Sequence, residues 1–156
     1  QLAEELRQGM DWQTLTERRV PWLIQNTFPF FSVDTLEYLQ KGGRIGKVTA
    51  MAGTMLQIKP LITFAADGQL QSIAKVRGRN LVIRKLIELV TQSHNGVARY
   101  NLAVANGGAP AEMEILQGKL TTALPNYDHI WSGELDGTLS VYIGDGVLGA
   151  AVQRLE

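Results

Sequence analysis

The chain contains no cysteine and only two histidines in 156 residues. Without cysteine, no disulfide can hold the fold and no thiol can act as a nucleophile. With so few histidines, we expect no zinc or other metal site. Fifteen basic residues balance fifteen acidic residues, so the formal net charge is zero. That balance argues against a general binder of nucleic acids or of anionic membranes.

Long apolar segments are also missing. No apolar run approaches the roughly 20 residues that cross a bilayer. No signal peptide is apparent either, so we expect a cytoplasmic protein without an integral membrane segment or a cofactor. The chain begins with Gln1 in a helical pattern and not with Met, which suggests a piece of a longer protein.

The interleaving of helical and β-rich segments predicts one domain with a mixed α/β fold, a largely antiparallel sheet and helices packed on it. Hydrophobic residues make up 45% of the chain, enough to form a core. We predict helices over 2–8, 12–19, 35–40, 47–57, 79–93 and 111–124. We predict strands over 24–33, 58–65, 69–77, 97–105, 130–135, 138–143 and 150–155. Pro21 is expected to end the second helix, and Asp34 to cap the third.

Two Asp-Gly pairs indicate turns between strands. Asp67-Gly68 lies between β-rich runs, which is a strong hairpin pattern. A two-residue loop there would place Ile58 opposite Arg77. The second pair, Asp136-Gly137, is interpreted as a turn that leads into a strand over 138–143.

The segment Lys41-Gly42-Gly43-Arg44 joins two helical patterns. Glycines allow a sharp turn, and an arginine at a helix start presents donors that suit a carboxylate or a phosphate. The same residues also fit a helix C-cap followed by a surface arginine.

The predicted helix over 47–57 carries apolar residues at helical spacing, among them Val48, Met51 and Met55. Its small residues would permit a close neighbour or a ligand tail. Ordinary core packing explains the same pattern.

No arrangement of a nucleophile and a base appears in the sequence. His94 and His129 fall in predicted loops without partners, so we predict no catalysis by this chain alone. Arg77 and Arg79 begin a basic cluster that could meet an acidic partner surface or could be a solvated helix start. The glycines Gly144 and Gly146 lack the spacing of a phosphate-binding loop.

Three segments together resemble the DegV family. Segment 31–45 reads FSVDTLEYLQKGGRI, segment 56–62 reads LQIKPLI, and segment 75–78 reads KVRG after Asp67-Gly68. The resemblance implies a two-domain α/β carrier that holds a long-chain fatty acid between its domains. It also implies that the carrier, not itself catalytic, presents the carboxyl group to a fatty-acid kinase. Residues 1–156 would be the C-terminal lipid-binding domain, beginning with the end of the inter-domain link. The N-terminal domain, absent from this sequence, would be its partner.

The resemblance also implies site residues. The expected ligand-binding residues are Gly43, Arg44, Ile45, Met51, Met55, Ile58, Tyr142, Gly144 and Gly146, with Arg44 and Tyr142 near the head group; Arg77 and Arg79 are the expected partner contacts. Family members usually carry His-Thr-Gly-Pro-Gly where this chain has 142–146, YIGDG. Tyr142 can still donate one hydrogen bond, and Asp145 adds a negative charge close by. A divergent structural or protein-interaction domain without an acyl ligand is the alternative.

Overall fold

The computed structural model describes residues 1–51 and 57–156, and for 49–51 only the backbone. The helices are α1 (Leu2–Arg7), α2 (Trp12–Thr14), a π-helical segment (Leu15–Arg19), α3 (Val20–Gln25), α4 (Glu37–Lys41), a 3-10 helix (Gly46–Met51), α5 (Asn80–His94), α6 (Pro110–Ala123) and α7 (Gly137–Ile143). The strands are β1 (Thr27–Ser32), β2 (Ile58–Phe64), β3 (Leu70–Arg77), β4 (Tyr100–Gly107), β5 (Ile130–Glu134) and β6 (Val147–Arg154).

The six strands form one open sheet in the order β3-β2-β1-β6-β4-β5. Strands β4 and β5 pair in parallel, and every other pair is antiparallel. The predicted fold class, a mixed and largely antiparallel sheet with helices packed on it, is therefore confirmed.

One face of the sheet carries the main core. Because successive side chains of a strand point to opposite faces, the larger apolar residues of β4 and β6 lie together under α5 and α6. This core contains Leu102 and Val104 of β4, Leu148 and Val152 of β6, Val82, Leu86 and Val90 of α5, and Leu116 and Leu120 of α6. A second, smaller core of Val33, Leu39, Val48, Ile62 and Val147 forms near α4.

The β2–β3 hairpin is confirmed, and Ile58 does pair with Arg77. The loop, however, is longer than predicted, since Ala65 still bonds to Gln69 and Phe64 pairs with Leu70. The pairing then shifts by one residue between Leu61 and Ile62. This β-bulge restores the register that a shorter loop would have given.

The prediction of a strand over 138–143 was wrong. Residues Gly137–Ile143 form helix α7, because the Asp136 side chain accepts a hydrogen bond from the Leu139 backbone N–H at 3.1 Å. An aspartate before a glycine caps a helix as readily as it opens a turn.

Two residues that were expected to mark helix ends, Pro21 and Asp34, behave differently in the structure. Pro21 does not end its helix: α2, the π-helical segment and α3 follow one another without a break, and the π-helical turn just before Pro21 accommodates its missing N–H. Asp34 does not cap α4, because Lys59 and Arg79 engage its carboxylate at 2.8 and 3.2 Å. The predicted α-helix over 47–57 begins as the 3-10 helix, and its residues 52–56 lie outside the described residues.

In the described part of the chain, no helix is both long and apolar enough to cross a membrane.

Candidate functional site

The sheet face opposite α5 and α6 carries an open groove of about 810 Å³. Its floor is made of small residues from the two neighbouring strands β4 and β6: Ala103, Ala105, Gly149 and Ala151. These residues alternate with the large core residues on the same strands. The pleat therefore sorts large side chains to the helix face and leaves a shallow trough on the other.

Apolar side chains also form the walls of this groove. They come from β1, from the β2–β3 hairpin and from α4 and α7, and include Phe31, Phe64, Leu70, Leu39, Leu139 and Ile143. The Phe31 and Phe64 rings lie 6.4 Å apart and tilted by 46°. A second apolar depression, lined by Leu2, Val20, Ile24 and Trp131, shares Pro29 and Phe64 with the groove. The apolar surface thus continues beyond the groove itself.

Arg44 is the one charged side chain among the described residues that line the groove. Its guanidinium carbon lies 4.3 Å from the centre of the Tyr142 ring, a cation–π distance. Its Nη1 also donates to the Gly42 carbonyl at 2.5 Å. An apolar trough with a single fixed cation suits a ligand with an apolar body and an anionic head.

Two glycines allow α4 and α7 to approach each other. A Cβ built on Gly42, the residue after α4, would lie 2.6 Å from Cδ1 of Tyr142. A Cβ on Gly144, the residue after α7, would lie 2.5 Å from the Tyr38 ring. Each helix therefore places a tyrosine ring against the glycine that ends the other helix.

The glycine loop after α7 also contacts a cluster of charges on the other side. A Cβ on Gly146 would meet the Asp34 carboxylate at 2.6 Å, and one on Gly108 would overlap the Asp145 carboxylate. The pKa of Arg79 is raised, first by its hydrogen bonds to Glu112 and further by the charges of Asp34 and Asp145. The Asp145 carboxylate therefore lies against Gly108, and Asp145 is not among the described residues that line the groove.

The structure brings some of the predicted ligand residues together. Gly43, Arg44 and Tyr142 line the groove. Ile45 packs against the second core instead, and Ile58 lies at the end of the hairpin opposite Arg77. Gly144 and Gly146, both with positive φ, shape the loop behind Tyr142.

Two predicted ligand residues cannot be placed in this way. Met55 lies outside the described residues, and Met51 is the last residue of the 3-10 helix, described only by its backbone.

The two predicted partner contacts differ in their surroundings. Arg77 is exposed at the end of β3. Arg79 is only 21% exposed and makes a two-bond contact with Glu112, at 2.8 Å for both pairs of atoms. Both remain predictions as partner contacts.

The sequence reasoning missed the floor of the groove. Its pattern, small residues at alternate positions of two strands, was visible at 103, 105, 149 and 151. This pattern indicates a groove only when β4 and β6 are known to be neighbours, and the sheet order shows that they are.

The fold and the groove define an α/β domain with one sheet face open to an apolar ligand or partner. The model of the DegV family, described as uncharacterised proteins, matches residues 2–155. The chain belongs to the DegV family. A DegV domain-containing protein of Clostridium acetobutylicum is 33% identical over 150 residues, which cover 96% of this chain and 52% of that protein. One from Clostridium perfringens is 30% identical over 152 residues, covering 97% and 53%. The chain thus spans about half the length of these curated relatives.

Solved structures show the same fold. A DegV family protein from Thermus thermophilus, described as fatty-acid binding, superposes with a TM-score of 0.91 at 24% identity, covering 99% of this chain and 54% of the other. A DegV family protein from Eubacterium eligens, loaded with heptadecanoic acid, gives a TM-score of 0.83 at 22% identity, covering 98% and 54%.

Proposed function

We propose that this chain binds a long-chain fatty acid, with the acyl chain on the small-residue floor of the groove and the carboxylate at Arg44. The observation that carries the proposal is the pairing of an apolar trough with a single lining cation among the described residues. The fatty-acid-binding descriptions of the Thermus and Eubacterium proteins, which share its fold, support the same ligand class.

The chemistry of the groove is consistent with this ligand. Each methylene taken from water contributes about 0.8 kcal/mol, so a long chain needs only an apolar channel of sufficient length. The groove and the adjoining depression at Trp131 provide such a surface. A guanidinium offers paired donors whose geometry matches a carboxylate.

We further propose that the chain is the C-terminal domain of a cytoplasmic, non-catalytic carrier. In this proposal a second domain of the same protein covers the open groove, and the carrier presents the fatty acid to a fatty-acid kinase. Arg77, with Arg79, is the proposed contact to that kinase. Exposure of Arg77 at the end of β3 supports its role, since exposed basic groups steer association with acidic surfaces.

Ala151→Leu tests the ligand site. The larger side chain would stand on the half-buried floor, and we expect fatty-acid affinity to fall about tenfold, because filling a packed apolar site costs about 1–3 kcal/mol. Ala111→Leu makes the same chemical change at an exposed position in the first turn of α6 and serves as the control.

Native mass spectrometry of the full-length protein from bacterial cells would weigh any retained lipid directly. Titration of delipidated protein with a fluorescent fatty acid would give the affinities. If Ala151→Leu and Ala111→Leu bind the fluorescent fatty acid with equal affinity, the acyl chain does not lie on the floor of the groove at Ala151. Failure of the wild-type protein to bind any fatty acid would leave the interaction-domain alternative.

A further inference from the structure

Helices α4 and α7 are joined by what we call the glycine–tyrosine clamp, formed by Tyr38, Gly42, Tyr142 and Gly144. Tyr38 of α4 lies on Gly144, and Tyr142 of α7 lies on Gly42. The contact is reciprocal, so neither helix can shift along the other without moving both rings. Gly144 also has φ near +78°, a backbone conformation that residues other than glycine rarely adopt.

The clamp fixes Arg44 as well as the two helices. Because Gly42 has no side chain, the Tyr142 ring can lie directly against its backbone. The carbonyl oxygen of Gly42 accepts the hydrogen bond from Nη1 of Arg44. The face of the guanidinium packs on the Tyr142 ring, whose centre lies 4.3 Å from the guanidinium carbon. Both an edge and a face of the guanidinium are therefore held, although Arg44 is an exposed residue.

An exposed arginine normally loses considerable rotamer entropy when it binds an anion. Here the hydrogen bond and the stack order the guanidinium beforehand. One donor is used by Gly42, and a guanidinium carries five. The remaining donors are available to a head group without further ordering of the side chain.

We propose that Tyr142 is a positioning residue for Arg44: one edge of its ring rests against Gly42, the ring face holds the guanidinium at the groove, and its hydroxyl is not required. This inference rests on the proposed function and specifies how that site selects an anionic head group. Recognition then depends on the guanidinium donors of an arginine that two contacts hold in place.

The test separates head-group recognition from chain binding by comparing palmitic acid with hexadecanol, which has the same chain and no charge. Affinities of full-length protein for both, measured by displacement of a fluorescent lipid, give an acid-to-alcohol preference. We expect Arg44→Ala to reduce this preference about tenfold and Tyr142→Leu about threefold. Tyr142→Phe keeps the ring and should restore the preference to within about twofold of wild type.

Gly42→Ala offers an independent perturbation, because the backbone at Gly42 is right-handed helical and accepts alanine. Its added Cβ would displace the Tyr142 ring, so the preference should fall while the ring remains present. Gly118→Ala is the matched control, since a Cβ at this exposed helical glycine of α6 meets nothing within 4 Å.

Each contrary result has a distinct meaning. If Tyr142→Phe and Tyr142→Leu reduce the acid-to-alcohol preference equally, the hydroxyl and not the ring is responsible, and the inference is overturned. A further loss from Tyr142→Leu in the Arg44→Ala background would show that the ring does not act through Arg44. Equal binding of acid and alcohol by wild type would overturn head-group selection but leave lipid binding intact. Binding of neither lipid would overturn the proposed function itself.

Discussion

Replacing Arg79 with alanine should destabilise the fold, because Arg79 joins three elements at one end of the sheet. Its Nε and Nη2 donate to the two carboxylate oxygens of Glu112 on α6, both at 2.8 Å. Its Nη1 lies 3.2 Å from Oδ1 of Asp34, just beyond β1. Arg79 itself immediately precedes α5, so the side chain links the first turns of α5 and α6 to the end of a central strand.

The expected loss follows from the exposure of these groups. A hydrogen bond between charged groups contributes about 1.5–3 kcal/mol when buried, and an exposed ion pair contributes at most about 1 kcal/mol. The side chains of Arg79 and Glu112 are 21% and 34% exposed. We therefore expect Arg79→Ala to lower the free energy of unfolding by about 1–2 kcal/mol at neutral pH.

Acidification should shrink this difference. The hydrogen bond from Arg79 is the largest cause of the lowered pKa of Glu112. A carboxyl group with a lowered pKa in the folded state contributes stability above its ordinary pKa, and that contribution disappears as the pH falls through the folded value. Wild type and Arg79→Ala should therefore differ less at about pH 3 than at pH 7.

Urea unfolding followed by circular dichroism at both pH values would measure this effect. Arg77→Ala is the control, because it removes a neighbouring arginine that is exposed at the strand end. If Arg79→Ala costs no more than Arg77→Ala, or costs the same at both pH values, the ion pair with Glu112 does not stabilise the fold as argued.

Three further predictions concern other charged residues. Arg77→Glu should weaken binding to the proposed kinase without changing stability, and the loss measured by calorimetry should shrink in high salt. Asp136→Ala should cost about 1 kcal/mol of stability in urea unfolding, since it removes the N-cap of α7. Arg19→Ala should cost about 2–3 kcal/mol in urea unfolding, because it leaves the carboxylate of Glu5, 9% exposed, without its charged partner and with only the Gln1 amide as a side-chain donor; a loss no larger than for Lys41→Ala, in an exposed pair, would contradict this.

The elements that the sequence predicted well are those that local chemistry determines. The hairpin around Asp67-Gly68 follows from turn chemistry between β-rich runs, and α5 follows from its apolar period. Predictions failed where the same residue type, here aspartate, can play more than one structural role in its local context. Asp136 caps a helix where a turn was expected, and Asp34 pairs with Lys59 and Arg79 where a cap was expected.

The candidate site was predicted only in part, for a related reason. Arg44 and Tyr142 were expected near a head group, and the structure brings their side chains into contact. The floor of the groove depends on the pairing of β4 with β6, which are separated by about 40 residues along the chain. Such long-range pairing is not encoded in local propensity, so alternation of small residues in one strand alone could not indicate a groove.

Two of the three departures from the expected family pattern at 142–146, Tyr142 and Asp145, therefore have separate consequences. The positive φ values of Gly144 and Gly146 turn the backbone between them, so that Tyr142 meets Arg44 while Asp145 meets Gly108. The carboxylate of Asp145 is among the charges that raise the pKa of Arg79. Asp145 thus adds a third carboxylate to the cluster of Arg79, Asp34 and Glu112. Because this cluster contributes no lining residue to the groove, an aspartate at position 145 is compatible with the anionic head group proposed at Arg44, and under that proposal the change at Tyr142 is the one that bears on recognition.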